Sequence, residues 1–203
     1  MPSRQLTPTS YTLLGYLSIT PMSGYDLATA IHGSVSQFWP VSKSQIYKEL
    51  PQLEADGLVA GTDVSQERRP DKRVYNATTA GLAELDRWLA NDDLPGAVAR
   101  IPELLKLFFG HRMSHDALRS MLLVERAAQV AANERFETII AHLDTEPAAR
   151  YVRATARYGL LTGKAWIQWA DETLADLDRE PVDATPGRDL AEFIRAVPPR
   201  STT

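Results

Sequence analysis

Ser42-Lys43-Ser44-Gln45-Ile46-Tyr47-Lys48-Glu49-Leu50 opens the stretch that decides the fold, which runs on through Leu53-Glu54-Ala55-Asp56-Gly57-Leu58-Val59 to Arg68-Arg69-Pro70-Asp71-Lys72-Arg73-Val74-Tyr75-Asn76. Ser42 with Gln45 three residues later is a capping-box pattern, so a helix starts at Lys43. Ile46, Leu50 and Leu53 recur at spacings of four and three and define its buried face. Lys43, Ser44, Tyr47 and Lys48 fall on or near the other side of its first two turns. Gly57 is the natural left-handed cap at the far end. Leu58-Val59-Ala60 and Val74-Tyr75-Asn76-Ala77 are β-like segments on either side of a basic turn. Arg68, Arg69, Lys72 and Arg73 outweigh Glu67 and Asp71 there by two charges.

Upstream, Leu13, Leu14, Tyr16, Leu17 and Ile19 make a short apolar helix that ends before Thr20-Pro21, because proline disfavours helix at the residue before it. Ser23 and Asp26 form another capping box, opening a second helix from Gly24 to about His32 with Leu27, Ala30 and Ile31 on one face. Phe38, Trp39 and Pro40 are bulky enough to suggest a packed connection. Downstream, Thr79 is expected to cap a fourth helix with Leu82, Leu85, Trp88 and Leu89 inward. Three short helices, a two-stranded wing and a closing helix make a winged helix-turn-helix. A helix exposing small polar and cationic groups beside a basic hairpin matches a DNA major groove flanked by phosphates. Lys43 and Lys48 alone would equally suit a solvated helix face; the basic wing directly after them points to DNA.

The residues that carry this reading also resemble, in order, the successive signatures of the PadR family. They are Leu13-Leu-Gly-Tyr-Leu17, Met22-Ser-Gly-Tyr-Asp-Leu27, Ile46-Tyr-Lys-Glu-Leu50, Leu53-Glu-Ala-Asp-Gly-Leu-Val59 and Arg73-Val-Tyr-Asn-Ala-Thr-Thr-Ala-Gly81. The resemblance implies a transcriptional regulator, in most members a repressor, that binds a palindromic operator as a dimer. It implies that Ser42–Lys48 is the recognition helix, Tyr47 a DNA-facing tyrosine and Arg68–Arg73 the wing. It also implies that Ser23, Gly24 and Tyr25 open a helix lying against the phosphate backbone. Many relatives have proline immediately after this tyrosine. Here Lys48 takes that place and Pro51 follows, lacking the N–H that would bond the Tyr47 carbonyl, so a bend is expected around the second turn.

The chain of 203 residues, 44% hydrophobic and 24% charged, has the composition of a globular protein large enough for one domain or two small ones. No apolar run reaches the roughly 20 residues that span a bilayer, and the N-terminus shows no signal-peptide pattern, so a cytoplasmic protein is expected. Without cysteine there are no disulfides, thiolate zinc sites or cysteine nucleophiles. The net charge of −4 at first opposes nucleic-acid binding. Residues 1–91 hold 8 basic and 9 acidic groups and the remainder 14 and 17, so any affinity for DNA has to come from locally clustered cations.

Residues 1–91 are therefore expected to form the DNA-binding domain, 92–100 a Pro/Gly linker, 101–197 a helical dimerisation domain and 198–203 a flexible tail. Pro102-Glu-Leu-Leu-Lys-Leu-Phe-Phe-Gly110 reads as a buried helix, being apolar on most sides. Ser114 caps a long helix carrying Leu118, Leu122, Ala132, Phe136, Ile139 and Leu143, and Glu146-Pro147 opens a second. Along that second helix runs an apolar stripe that includes Gly159, Leu160, Gly163, Trp166, Ile167, Ala170 and Leu174. Two glycines four apart ask for a close partner helix. A second copy of the chain is the expected partner, with packing inside the chain as the alternative. Gly187 to Val197 is expected to form a last short helix. The fragment Glu103–Gly110 and the Trp166/Trp169 region resemble the C-terminal domain of the virulence-activator branch of the same family, over roughly 80 residues.

His111 and His115 have the spacing of two zinc ligands on one helix, yet Ser114 is expected to start a new helix between them and Arg112 stands where a metalloprotease glutamate belongs. No phosphate loop or nucleophile elbow is present, and neither metal, cofactor nor enzymatic activity is expected. Tyr151, Tyr158, Trp166 and Trp169 could line a pocket for a small aromatic effector, since PadR relatives bind planar ligands near the dimer interface; their helical spacing equally suits core packing. The combined expectation is a homodimer presenting two recognition helices about one DNA turn apart, roughly 34 Å, to a pseudo-palindromic operator. Lys43, Ser44 and Gln45 are expected to read base edges, with Ser42 capping the helix beside them. Tyr47, Lys48, Arg68, Arg69, Lys72 and Arg73 are expected to hold phosphates. Regulation is expected to change the spacing of the two heads across the linker. A winged-helix protein-interaction module that has lost DNA binding is the competing reading, favoured by the acidic balance.

Overall fold

A computed structural model describes residues 4–65, 71–91 and 100–179, together with 192, 195 and 196. The chain divides into two compact units, Met1–Ala97 and Val98–Thr203.

In the first unit, α1 (Pro8–Leu17) begins well before its first apolar residue, Leu13, because Thr7 and Ser10 form a reciprocal capping box with Pro8 at the first helical position. β1 (Met22–Ser23) leads into α2 (Gly24–Gly33), where Ser23 and Asp26 form the expected box. A 3-10 turn, Val35–Gln37, precedes α3 (Lys43–Ala55), capped by Ser42 and Gln45 as expected. The helix is continuous through Pro51. It ends in a Schellman motif: Gly57 has φ 73°, its N–H bonds the Glu54 carbonyl at 3.0 Å, and the Leu58 N–H bonds the Leu53 carbonyl at 2.9 Å. β2 (Val59–Val64), β3 (Lys72–Ala77) and α4 (Thr79–Leu89) complete the unit.

The sheet is antiparallel in the order β1-β3-β2, so the expected two-stranded wing has a third strand at its root. Met22 and Ser23 sit opposite Tyr75 and Val74, a pairing that a two-residue segment cannot announce by periodicity. Leu13, Leu14, Leu17, Leu27, Ile31, Ile46, Leu50, Leu53 and Val59 fill one core. Several expected inward positions are not in it. The cap of α4 is Thr78, one residue earlier than expected, and of its expected inward face only Leu85 is buried; Leu82, Trp88 and Leu89 are exposed. Trp88 stacks instead on Tyr11 of α1, with centroids 4.7 Å apart. Phe38 and Trp39 are exposed rather than packed, as is Ile19 beyond the end of α1.

The second unit contains α5 (Pro102–Phe108), α6 (His115–Leu143) and α7 (Arg150–Arg179). Arg119–Asp178, Arg126–Asp171, Glu137–Lys164 and Asp144–Arg153 ion pairs, with numbers rising on one helix and falling on the other, show that α6 and α7 form an antiparallel hairpin. At 1.5 Å per residue each arm is about 45 Å long. A methyl group at Gly159 would overlap the Phe136 ring, and one at Gly163 would lie 2.5 Å from the Gln129 amide and overlap Asn133. The close partner required by these two glycines is therefore α6 of the same chain, which corrects their assignment to contact between chains. Ala170 and Leu174 are likewise buried within the hairpin, and Leu160, Trp166 and Ile167 are half-buried. Conversely α5, expected to be buried, exposes Leu104, Leu105 and Phe108, with Phe109 exposed just beyond it. The expected linker lies outside the described residues except for Arg100, as do the tail and most of the 187–197 helix, of which Glu192, Arg195 and Ala196 are helical. No helix among the described residues is long and apolar enough to cross a membrane.

Candidate nucleic-acid interface

The first two turns of α3 present Lys43, Ser44, Tyr47 and Lys48 to solvent, while Ile46, Leu50 and Leu53 anchor the opposite side. The buried side holds the helix in place and leaves its outer side available to a groove. Ser42 and Gln45 are exposed but committed to the cap: the Ser42 N–H donates to Gln45 Oε1 at 2.8 Å, and the Gln45 N–H donates to Ser42 Oγ at 3.2 Å. Gln45 is thus turned back on the helix end. Ser44 Oγ lies 3.0 Å from Ser42 Oγ.

Tyr47 lies against the start of α2. A Cβ built on Gly24 would stand 2.7 Å from Tyr47 Cε1, so the absence of a side chain at Gly24 makes the seat for this ring. Tyr25 next to it is exposed, whereas Ser23 is buried and caps α2, donating to Asp26 Oδ2 at 2.7 Å. Ser23 is a structural cap, not an outward-facing contact. Hydrogen bonds from Ser23, reinforced by Lys72 at 3.7 Å, hold the Asp26 carboxyl below the usual carboxylate range.

Lys72 and Arg73, expected as wing cations, are both paired. Arg73 donates to Glu54 Oε1 at 2.7 Å and to Asp63 Oδ1 at 2.8 Å, and its guanidinium stands 5.9 Å from the Tyr75 ring centroid. Glu54 Oε1 also accepts the Gly61 N–H at 2.8 Å. Arg73 and the Gly61 amide hold the Glu54 carboxyl below its ordinary range. Arg68 and Arg69 lie outside the described residues. A second arginine, Arg4, which composition does not single out, bonds Glu49 at 2.8 Å and Asp56 at 3.2 Å on the inner and far sides of α3. Buried Ser10 donates to the same Glu49 oxygen at 2.5 Å. Among the described residues of the first unit, Lys43 and Lys48 are the cations without an ion pair, and both are on the outer face of α3.

In the second unit, Tyr151 and Tyr158 are exposed, while Trp166 and Trp169 meet edge to face at 5.3 Å and are half-buried. Tyr151 and Trp169 are about 27 Å apart along a continuous helix, so the four aromatics do not line one pocket within the chain. His111 sits in the 3-10 turn Gly110–Arg112, and His115 opens α6 with Nε2 3.0 Å from the Leu177 carbonyl. The pair does not share a helix.

Comparison with known proteins agrees with this geometry. The model of the transcriptional regulator PadR-like family matches residues 13–87, and that of the virulence activator alpha C-terminal domain matches 99–178. The probable transcriptional regulator Rv1176c of Mycobacterium tuberculosis is 30% identical over 172 residues, covering 78% of this chain and 91% of that protein. The chain belongs to the PadR-like family of transcriptional regulators. It carries that family's DNA-binding winged helix followed by a virulence-activator-type C-terminal unit. The Vibrio cholerae virulence activator AphA shares the architecture at TM-score 0.65 and 30% identity, over 84% of this chain and 98% of that one. The negative transcriptional regulator PadR of Bacillus subtilis is 26% identical over 179 residues, covering 84% of this chain and 97% of that one. Its crystal structure with operator DNA superposes at TM-score 0.77 and 23% identity, over 84% and 99% of the two chains. Another structure contains that protein with p-coumaric acid, at TM-score 0.69 and 23% identity, over 83% and 98%.

Proposed function

We propose that this PadR-like regulator is a homodimeric repressor that places two copies of α3 in successive major grooves of a pseudo-palindromic operator and is released by a small aromatic effector. The observation that carries the DNA contact is the division of α3: its inner face is locked into the core, and its outer face offers Lys43, Ser44, Tyr47 and Lys48. Ser44 and Lys43 face base edges in this reading, and Tyr47, Lys48 and Tyr25 approach the backbone. The exposed apolar surface of α5 supports dimerisation, because an apolar face left in water is a site of association. Repression and release take support from B. subtilis PadR, a negative regulator also seen with p-coumaric acid. Trp166 and Trp169 are the aromatics that remain adjacent enough to serve one ligand.

Selection of bound sites from random duplexes should yield an inverted repeat. Lys48→Ala should then weaken binding to all sequences and lower the slope of log affinity against log salt by about one. Ser44→Ala should change which bases are preferred. Binding that Lys48→Ala leaves unaltered in both strength and salt dependence would falsify the assigned face. The engagement of Lys72 and Arg73 by carboxylates favours one other reading, a winged helix that binds protein rather than DNA. Absence of any shift of random duplex at low salt would select it.

A further inference from the structure

Arg73 follows directly from a basic turn and reads, in sequence, as one more phosphate ligand. Its surroundings give it another task. The sheet order puts β2 at the edge, where strand amides need a partner. The open amide at Gly61 is covered by Glu54, which belongs to α3 (2.8 Å). Arg73, on the neighbouring β3, then closes on the same carboxylate with two nitrogens, 2.7 Å to Oε1 and 3.3 Å to Oε2, and takes Asp63 of β2 with a third, at 2.8 Å. One guanidinium thereby joins the recognition helix to both long strands. The side chains of Arg73 and Glu54 are 39% and 30% exposed, and ion pairs at that exposure add little to stability. A fork geometry of this kind fixes direction more than it adds energy. Gly61 is a condition for the arrangement: a Cβ there would fall 2.8 Å from Glu54 Oε1 and 2.9 Å from Arg73 Cζ.

We propose that Arg73 is a positioning residue, not a phosphate contact: clamped on Glu54, it fixes the wing root to α3 and sets the angle at which helix and wing together meet duplex DNA. This rests on the DNA-binding reading above and predicts a pattern of variants opposite to that of a phosphate ligand. Glu54→Gln and Gly61→Ala, which leave the Arg73 charge in place, should each lower operator affinity about tenfold without changing the salt slope. Arg73→Lys should fall as far as Arg73→Ala, since a point charge cannot reproduce the fork. The thermal midpoint should stay close to that of the unaltered chain in all four, which separates positioning from loss of fold. In the DNA-free protein, hydrogen exchange at the Gly61 amide should speed up in Glu54→Gln.

The proposal is overturned if Glu54→Gln binds as tightly as the unaltered chain or more tightly, if Arg73→Lys retains affinity, or if Arg73→Ala lowers the salt slope by about one. An unaltered chain that binds no duplex defeats the DNA reading itself, and with it the positioning role. Unchanged exchange at Gly61 defeats the clamp alone.

Discussion

Tyr47 shows how a single missing carbon can seat a side chain. Its ring rests where Gly24 has no side chain, and the nearest ring carbon would be 2.7 Å from an alanine Cβ. The ring is the movable end of a flexible side chain, so Gly24→Ala should swing Tyr47 away rather than disturb α2. Operator affinity is expected to drop about tenfold, with an unchanged far-UV circular dichroism spectrum. Two carboxyls beside this site give a pH dependence. Asp26, hydrogen-bonded by Ser23, and Glu54, held by Arg73, both have folded pKa values below their ordinary ones. Their stabilising contribution is complete above the ordinary carboxylate range and is lost as pH falls through the depressed values. Thermal melts should therefore show a decline below about pH 4, flatter in Glu54→Gln. At this scale the sequence could mark Lys43, Lys48, Lys72 and Arg73 as cations without separating them. Lys72 and Arg73 are consumed by Asp26 and Glu54, residues 46 and 19 positions away, whereas Lys43 and Lys48 face outward. Charge is local in sequence, but its neutralisation is not.

Among the elements, those specified by contacts within one turn were legible. The caps at Ser23, Ser42 and Ser114 and the glycine stop at Gly57 are local hydrogen-bonding or dihedral requirements, and each is where it was expected. β1 was not legible, because its two residues are a strand only through pairing with β3. Nor was the exposure of α4 and α5, whose apolar residues announce a face without saying what covers it. Gly81 and Gly163, inside helices, mark where elements touch. At Gly81, at the start of α4, an added Cβ would overlap the Leu58 carbonyl oxygen, part of a backbone that cannot step aside. Gly81→Ala should destabilise the first unit by about 3 kcal/mol, visible as a lowered urea midpoint. Gly163→Ala, which meets the movable ends of Asn133 and Gln129, should cost less, about 1–2 kcal/mol, and should loosen the hairpin without affecting the winged helix. Equal losses at the two positions would contradict the distinction between backbone and side-chain obstacles.

For the molecule as a whole, the proposed dimer would cover the apolar surface of the second unit. Phe108 is 66% and Leu105 63% exposed, on a seven-residue helix with no buried residue of its own. Burying such a surface against a second copy contributes about 25 cal/mol for each Å² removed from water. Leu105→Glu with Phe108→Glu should accordingly move the protein from dimer to monomer in sedimentation velocity. Operator affinity should fall with it, since two linked half-sites bind far more tightly than one. A double variant that still sediments as a dimer would place the interface elsewhere.

What the sequence determined by itself was the order of the helices and the two long strands in the winged helix, the inner and outer faces of α3, and the helical character of the C-terminal half. Capping, glycine stops and apolar periodicity are enforced within a few residues and need no distant partner. Only the tertiary structure decided that the glycine pair of α7 receives α6 of the same chain, that Ser23 is buried, and that Arg73 belongs to Glu54. Each of these depends on which groups the folded chain brings within a few ångströms of one another, and separation along the chain carries no record of that distance.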